Sequence, residues 1–149
     1  MKKNLRALLA GAAVLTLIGL SQLASAADRP YTEGSVSEVT AIKTLDGMTD
    51  DYMAWLAGPW KQYMEELKKG GVVTGYRVYT TVPRNPQDPD LYLEVIYKNM
   101  AALDNLEARS DAIGEKVFGP MQKANADTIG RGKMRTVLGS ELIREVNFK

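Results

Sequence analysis

The 149-residue sequence predicts an α+β fold built from two consecutive β-α-β units. Four segments rich in β-branched and aromatic residues alternate with helical stripes in the order βαββαβ. Gly-Pro pairs also interrupt both helical segments, at positions 58–59 and 119–120. These two observations indicate a repeated unit that closes into one sheet.

The amino terminus has the pattern of a cleavable secretory signal. Lys2, Lys3 and Arg6 precede an apolar run over residues 8–20, and Ala24–Ala26 is a small-residue cleavage site. A membrane anchor is the alternative, but a spanning helix needs about 20 apolar residues and this run is shorter. We therefore expect residues 1–26 to be removed and residues 27–149 to form a single periplasmic or secreted domain without a membrane span.

Composition excludes several classes of function. The signal holds three of the 19 basic residues and none of the 18 acidic ones, so the mature domain has a formal charge of −2. That charge gives no electrostatic basis for nucleic-acid binding. The chain has no cysteine and no histidine, which excludes thiol catalysis, Ser-His-Asp catalysis and His-ligated zinc or haem. We expect neither a cofactor nor a metal.

The first unit is predicted as a strand followed by an interrupted helix. A polar leader at 27–34 precedes a β-rich stretch, Ser35–Thr44, and a helical pattern spans Asp46–Gly71 with Thr49 as its N-cap. Pro59 predicts a kink, because it lacks an N–H and clashes with the preceding turn. The predicted apolar face of this helix consists of Tyr52, Leu56, Trp60, Tyr63, Met64 and Leu67.

The second unit repeats this order. Val72–Val82 and Leu91–Lys98 read as strands around the turn-rich loop Pro83–Asp90. Asn99 is the predicted cap of a helix whose apolar positions are Leu103, Leu106, Ile113 and Val117. After the break at 119–120, we expect a further helix to about Ile129, a loop at Gly130–Lys133 and a last strand, Leu138–Phe148.

This order predicts a four-stranded antiparallel sheet with helices on one face, the ferredoxin-like arrangement. The βαββαβ order, the proline-containing helix and the aromatic strands GYRVYT (75–80) and LYLEVIY (91–97) resemble the dimeric α+β-barrel superfamily. That resemblance implies a homodimer in which two sheets pack face to face around a lumen. Haem-handling branches of the superfamily typically use a histidine, which is missing here, so no catalytic residue carries over.

Alternation along the strands predicts what lies on the uncovered face of the sheet. Small Ser37, Val39 and Ala41 are expected under the helices. The uncovered face is then predicted to carry Val36, Glu38, Thr40, Ile42, Arg77, Tyr79, Tyr92, Glu94, Ile96 and Lys98, and, less clearly, Glu141, Ile143 and Glu145. Such an apolar patch is rarely left bare, which again predicts a homodimer.

The favoured function is binding of a small, largely apolar or aromatic ligand in the lumen, with Thr40, Arg77, Tyr79, Tyr92 and Ile96 as contacts. The alternative is a cofactor-independent monooxygenase, isomerase or cyclase that uses Glu38 or Glu94 as its base. If the two carboxylates were neighbours, their repulsion would raise the pKa of one of them toward a range useful for proton transfer. A filled lumen in a structural or interaction protein is the third possibility. The simpler interpretation is that Arg77 only neutralises the negative charge of the glutamates, because ion-pair networks also perturb pKa values.

Three further patterns have simpler explanations. Gly130–Lys133 with Arg135 lacks phosphate-loop spacing, so a basic loop is favoured over a phosphate site. Asp88 and Asp90 hint at calcium, but the interrupting prolines favour a solvated turn. Trp55 and Trp60 would suit a ligand site, although aromatic residues on a helix beside a sheet are usually core.

Overall fold

A computed structural model describes residues 29–120 and 128–149 of the chain. The predicted signal at 1–26 lies outside these residues. The four strands are β1 (Tyr31–Thr44), β2 (Gly75–Thr80), β3 (Leu91–Tyr97) and β4 (Arg135–Phe148). They form one sheet in the order β2-β3-β1-β4, and every neighbouring pair is antiparallel. The predicted ferredoxin-like arrangement is confirmed.

The helices pack on one face of this sheet. They are α1 (Thr49–Trp55), α2 (Lys61–Lys69) and α3 (Leu106–Phe118), with a π-helical turn at Leu56–Trp60 and a 3₁₀ turn at Met100–Leu103. Residues 128–132 are also helical, at the end of the further helix predicted to about Ile129; residues 121–127 lie outside the described part. None of the described helices combines the length and apolarity needed to cross a membrane.

The predicted kink at Pro59 takes the form of the π-helical turn. Pro59 has no N–H to continue the α-helical ladder, and the Lys61 N–H reaches back five residues to the Leu56 carbonyl. The wider turn keeps both Leu56 and Trp60 buried against the sheet. The helix then ends as predicted: Val72 N–H bonds to the Leu67 carbonyl at 2.9 Å, and Gly71 adopts a positive φ of 66°.

Two predicted caps differ from the structure. The N-cap of α1 is Met48, and Thr49 is the first helical residue, with its hydroxyl 2.9 Å from that of Thr44. Asn99 does cap through its side chain, but it caps the 3₁₀ turn by accepting from Ala102 N–H at 3.1 Å. A left-handed Asn105 separates that turn from α3.

The strand ends also differ. β1 begins at Tyr31, inside the predicted leader, because it pairs with β4 as far as Phe148. β4 begins at Arg135, so the predicted loop at 130–133 is partly helix and partly turn. β2 is shorter than predicted, since Val72 closes the preceding helix instead of entering the sheet.

The predicted orientation of β1 is wrong. Residues that face each other across antiparallel strands share a face, and Val36 lies opposite Tyr97 while Ile42 lies opposite Leu91. Tyr97 and Leu91 belong to the core beneath the helices. Val36, Glu38, Thr40 and Ile42 therefore lie on the helix-covered face, and Ser37, Val39 and Ala41 lie on the uncovered one. Side-chain size was a poor guide because the register with β3 decides the orientation.

Candidate functional site

Glu94 is the centre of a polar cluster on the uncovered face of the sheet. Its carboxylate accepts hydrogen bonds from Ser37 Oγ at 2.8 Å, Tyr79 OH at 2.7 Å and Arg77 Nη1 at 3.1 Å. The sheet register makes this possible because Arg77 lies directly opposite Glu94. Although Glu94 sits on a face without helices, its neighbours leave it only 8% exposed.

The electrostatics of this cluster favour a permanently charged carboxylate. Burial by itself would raise the pKa of Glu94, but the hydrogen bonds from Tyr79, Ser37 and Arg77 outweigh burial and hold that pKa below its ordinary value. A general base working near neutral pH needs the opposite shift. The cluster therefore has the chemistry of a structural ion-pair network.

Glu38 and Thr40 do not belong to that cluster. Glu38 lies opposite Val95 on the helix-covered face, where its carboxylate accepts from Ser140 Oγ at 3.0 Å and from Tyr97 OH at 3.5 Å. Thr40 Oγ1 is 3.1 Å from the same Ser140 hydroxyl. The two glutamates are on opposite faces of the sheet, so the predicted carboxylate pair does not form.

Tyr92 and Ile96 do lie on the uncovered face, as predicted. Tyr92 is opposite Tyr79, and Ile96 is opposite Ser37 on β1. An open depression of about 360 Å³ lies beside Tyr92 and Leu138. The predicted contact residues are therefore divided: Arg77, Tyr79, Tyr92 and Ile96 share one face, and Thr40 lies on the other.

The loop aspartates are engaged in local bonds. Asp90 accepts from Lys43 Nζ, from the Thr44 backbone N–H and from Thr44 Oγ1, each at 2.8 Å. Asp88 accepts from the Arg84 backbone N–H at 3.0 Å and from Asn85 Nδ2 at 2.8 Å. Within the two described ranges, no group of three or more acidic, histidine or cysteine side chains is arranged to hold a metal.

A second site, absent from the predictions, lies between the helices and the sheet. It is a cavity of about 270 Å³, which we call the helix-side cavity. The residues that line it are Tyr52, Trp55, Trp60, Tyr63, Met64, Leu93, Phe118, Thr128, Arg131 and Arg135. Both tryptophans of the chain are among them.

The cavity wall is ordered by aromatic packing. Tyr52 and Trp55 stack almost in parallel, with ring centroids 5.8 Å apart and an interplanar angle of 10°. Elsewhere in the wall, the Tyr63 and Phe118 rings are 5.1 Å apart. The π-helical turn lies between Trp55 and Lys61, so it sets the relative positions of the two tryptophans. The result is a half-open cavity with a largely aromatic wall.

Two arginines add positive charge to this wall. Arg131 Cζ lies 4.8 Å from the Trp55 ring centroid, and Arg135 Cζ lies 5.5 Å from that of Tyr52. Both are within the range of a cation–π interaction. Arg131 also donates to Thr128 Oγ1 at 2.7 Å, which fixes its guanidinium beside the cavity.

Two buried polar atoms of the cavity residues have no hydrogen-bond partner of good geometry among the described residues. They are the Tyr52 hydroxyl and Arg135 Nε. Tyr52 is fully buried, and burial raises the pKa of its hydroxyl despite the opposing charges of Arg135 and Arg131. Tyr52 therefore remains a protonated hydrogen-bond donor at neutral pH. Arg135 is also a hydrogen-bond neighbour of the Tyr52 hydroxyl, which opposes the rise in its pKa.

Sequence reasoning identifies most of these residues but does not bring them together. Trp55 and Trp60 are candidate ligand contacts in the sequence, and Arg135 belongs to a candidate phosphate loop. Their convergence depends on where β4 starts and on its register with β1, where Arg135 lies opposite Thr44. The sequence signal that could have revealed the site is a stripe of aromatic residues on a helix together with basic residues at the start of a strand.

The solved structures with a similar backbone include two proteins of low sequence identity. One is HapK from Hahella chejuensis, with a TM-score of 0.47 and 15% identity, covering 74% of this chain and 91% of that one. The other is a chlorite dismutase-like protein, with a TM-score of 0.40 and 13% identity, covering 76% of this chain and 44% of that one. No protein-family model matches the chain, and no curated protein matches it. These likenesses concern the backbone fold alone.

Proposed function

We propose that the protein binds a small, largely apolar aromatic molecule in the helix-side cavity. The observation that carries this proposal is a half-open space of about 270 Å³ whose lining includes both tryptophans, Tyr63 and Phe118. Ligand sites generally combine an apolar enclosure with a few fixed polar groups. The proposed ligand is of the class predicted from the sequence, but its site is on the opposite side of the sheet.

The size of the cavity limits the ligand. An apolar cavity of about 150 Å³ is enough to hold benzene, so a volume of about 270 Å³ suits a molecule of one or two fused rings. The aromatic lining favours a planar ligand, because offset stacking on a ring adds to the burial of apolar area.

Binding is favoured over catalysis by a glutamate. Glu94 has a lowered pKa and three donors already bound to it, and Glu38 is on the other face of the sheet. The alternative of a cofactor-independent enzyme with a paired-carboxylate base therefore lacks its central requirement.

The two tryptophans allow a direct test. We expect 4-nitrobenzamide, a neutral nitroaromatic quencher, to quench tryptophan emission with a saturable curve, because both tryptophans line the cavity. N-acetyltryptophanamide gives the linear collisional baseline. Leu93→Phe adds a ring at the cavity floor and should weaken saturable quenching, whereas Leu138→Phe on the uncovered face should not. Linear quenching of the intact protein at the collisional level would overturn the proposal.

We also propose that the uncovered face of the sheet packs against a second copy, giving a homodimer. Tyr79, Leu138 and Ile143 are each about half exposed on this face, which is costly for a monomer. Adjacent residues of β4 provide a matched test: Ile143→Arg should give monomers in sedimentation-velocity experiments, and Leu142→Arg, on the other face, should not. If neither variant changes the sedimentation coefficient, this dimer is wrong.

We further propose export through the signal at residues 1–26, on the basis of its sequence alone. Expression of the full chain in a bacterium, followed by intact-mass measurement of the periplasmic fraction, should find a protein that begins at Ala27. A cytoplasmic protein that keeps Lys2 and Lys3 would contradict it.

A further inference from the structure

The uncovered face of the sheet is organised in rows that cross all four strands. In the strand order β2-β3-β1-β4, the central row consists of Arg77, Glu94, Val39 and Glu141. The two edge strands therefore carry opposite charges. Arg77 already donates to Glu94, but its side chain is 60% exposed and a guanidinium has further N–H donors. Glu141 is exposed at the other end of the row, so both charges are accessible to a second molecule.

In the next row, the large side chains occupy one half of the sheet and the small ones occupy the other. In the same strand order, this row consists of Tyr79, Tyr92, Ala41 and Gly139. Tyr79 is 44% exposed, whereas Ala41 and Gly139 line the open depression of about 360 Å³. The row therefore has a protruding half and a hollow half.

On the other side of the central row, small and large residues alternate. This row consists of Gly75, Ile96, Ser37 and Ile143. Ile143 is 47% exposed on β4, and Gly75 has no side chain on the opposite edge strand. The two edges of the face are thus complementary in size as well as in charge.

Building on the proposed homodimer, we propose that its twofold axis runs parallel to the strands, so that Arg77 of each copy pairs with the partner's Glu141. Rotation about this axis keeps each position along the strands and reverses the strand order. Every row then lies on the same row of the second copy, with β2 over β4 and β3 over β1. Each contact occurs twice, as in any isologous interface, and the strands of the two sheets stay aligned, as is common for packed sheets.

This axis places large side chains of one edge strand over small residues of the other. Tyr79 lies over the partner's Gly139, where an added Cβ would meet no atom of its own chain within 4 Å. Ile143 lies over the partner's Gly75. The exposed side chains of each copy thus meet the hollows of the other.

The two central strands distinguish this axis from the alternative one, which runs across the strands along the central row. With the proposed axis, Tyr92 lies over the partner's Ala41, and Ile96 lies over the partner's Ser37. With the alternative axis, Tyr92 would lie over the partner's Ile96, and the two small residues of β1 would face each other. Close packing favours the proposed axis, because the alternative crowds one half of the interface and leaves a gap in the other.

The charges favour the same choice. The alternative axis would place Arg77 on the partner's Arg77 and Glu141 on the partner's Glu141. The proposed axis brings opposite charges together at both edges and places the buried Glu94 over the partner's Val39. Such complementarity fixes the orientation of two partners more than it adds affinity.

Cross-linking tests the orientation directly, because the chain has no cysteine of its own. Bis-maleimidoethane, a short thiol cross-linker, is added to Arg77→Cys, to Glu141→Cys and to an equimolar mixture of the two variants. Packed sheets lie about 10 Å apart and the outer strands of this sheet lie about 14 Å apart, so the proposed axis brings only unlike positions within reach. We expect cross-linked dimers in the mixture and only traces in either variant alone. The mixed dimer also keeps one Arg77–Glu141 pair.

Reversal of one charge gives a second measurement. Glu141→Lys places a lysine against the partner's Arg77 at both edges, which should weaken dimerisation by at least about 10-fold at low salt and by less at high salt. Glu115→Lys is the matched control, because it changes the net charge equally but lies on α3, on the helix-covered side. It should leave the dissociation constant unchanged in sedimentation experiments. Glu141→Gln removes only a solvent-screened attraction and should have a much smaller effect than Glu141→Lys.

The outcomes separate the orientation from the homodimer itself. If the intact protein sediments as a monomer, or if Ile143→Arg leaves the dimer intact, the homodimer through this face fails. If the dimer forms through this face but each cysteine variant cross-links alone as well as the mixture does, the axis runs across the strands and the proposed axis is wrong. A mixture that does not cross-link, or a Glu141→Lys dimer as stable as the Glu115→Lys dimer, would also overturn it. Circular dichroism checks that each variant folds.

Discussion

Replacement of Glu94 by glutamine tests the buried cluster on the uncovered face. Ser37 and Tyr79 each donate to the Glu94 carboxylate at 2.8 Å or less, and a hydrogen bond to a charged acceptor exceeds a neutral one by about 1 kcal/mol. The Arg77 side chain is 60% exposed, so screening reduces its contribution to a few tenths of a kcal/mol. We therefore expect Glu94→Gln to lower the free energy of unfolding by about 2 kcal/mol at neutral pH.

The pH dependence of this difference provides a second measurement. The pKa of Glu94 is lower in the folded protein than its ordinary value of 4.5, so the folded state binds the proton more weakly than the unfolded state does. The stabilisation is fully present above that ordinary value and is lost as the pH falls through the folded-state pKa. Urea unfolding at a fixed protein concentration should show the variant and the intact protein converging in acid.

Glu141→Gln is the control for this experiment, since Glu141 is exposed on the same face of the edge strand β4. It should change the free energy of unfolding by less than about 0.5 kcal/mol. If Glu94→Gln is as mild as this control, or if its effect does not diminish in acid, the assigned hydrogen bonds do not stabilise the fold.

Further stability predictions can be checked by thermal or urea unfolding. Gly58→Ala should stabilise by up to about 1 kcal/mol, because the site is open and helical, whereas Gly71→Ala should destabilise by about 1 kcal/mol, because Gly71 has a φ of 66°. Leu91→Ala should cost about 2–5 kcal/mol, because Leu91 is 2% exposed, and Val82→Ala, at an exposed site, should cost almost nothing. Asp90→Asn should cost about 1–2 kcal/mol at neutral pH and less in acid, since hydrogen bonds lower the pKa of Asp90 despite its burial. These assignments would be contradicted if the two glycine substitutions changed stability equally, or if Leu91→Ala and Val82→Ala did. They would also be contradicted if the effect of Asp90→Asn did not depend on pH.

The fold was predictable because each element has an independent local signal. Gly70–Gly71 ends the helix, the prolines after Val82 exclude a central strand, and β3 places apolar residues at alternate positions. The orientation of β1 was not predictable in this way. Ser37 and Glu38 are neighbours that differ little in their suitability for a covered or an uncovered position, so only the pairing of Val36 with Tyr97 decides between them.

The candidate site was less predictable than the fold for a related reason. Arg77, Tyr79 and Glu94 were identified from strands whose alternation is clear, and they do meet. The helix-side cavity combines α1 with the start of β4, and Tyr52 and Arg135 are far apart in sequence. No periodicity within one element reports such a long-range contact.

The pairing of β1 with β4 has a consequence for how the domain is assembled. Tyr31 lies opposite Phe148, so a strand in the interior of the sheet acquires one of its two neighbours from the other end of the chain. A polypeptide emerging amino terminus first keeps this side of β1 unpaired until β4 has been made. The sheet must therefore wait for β4, and the folding rate should be limited by closure of the long loop between β1 and β4.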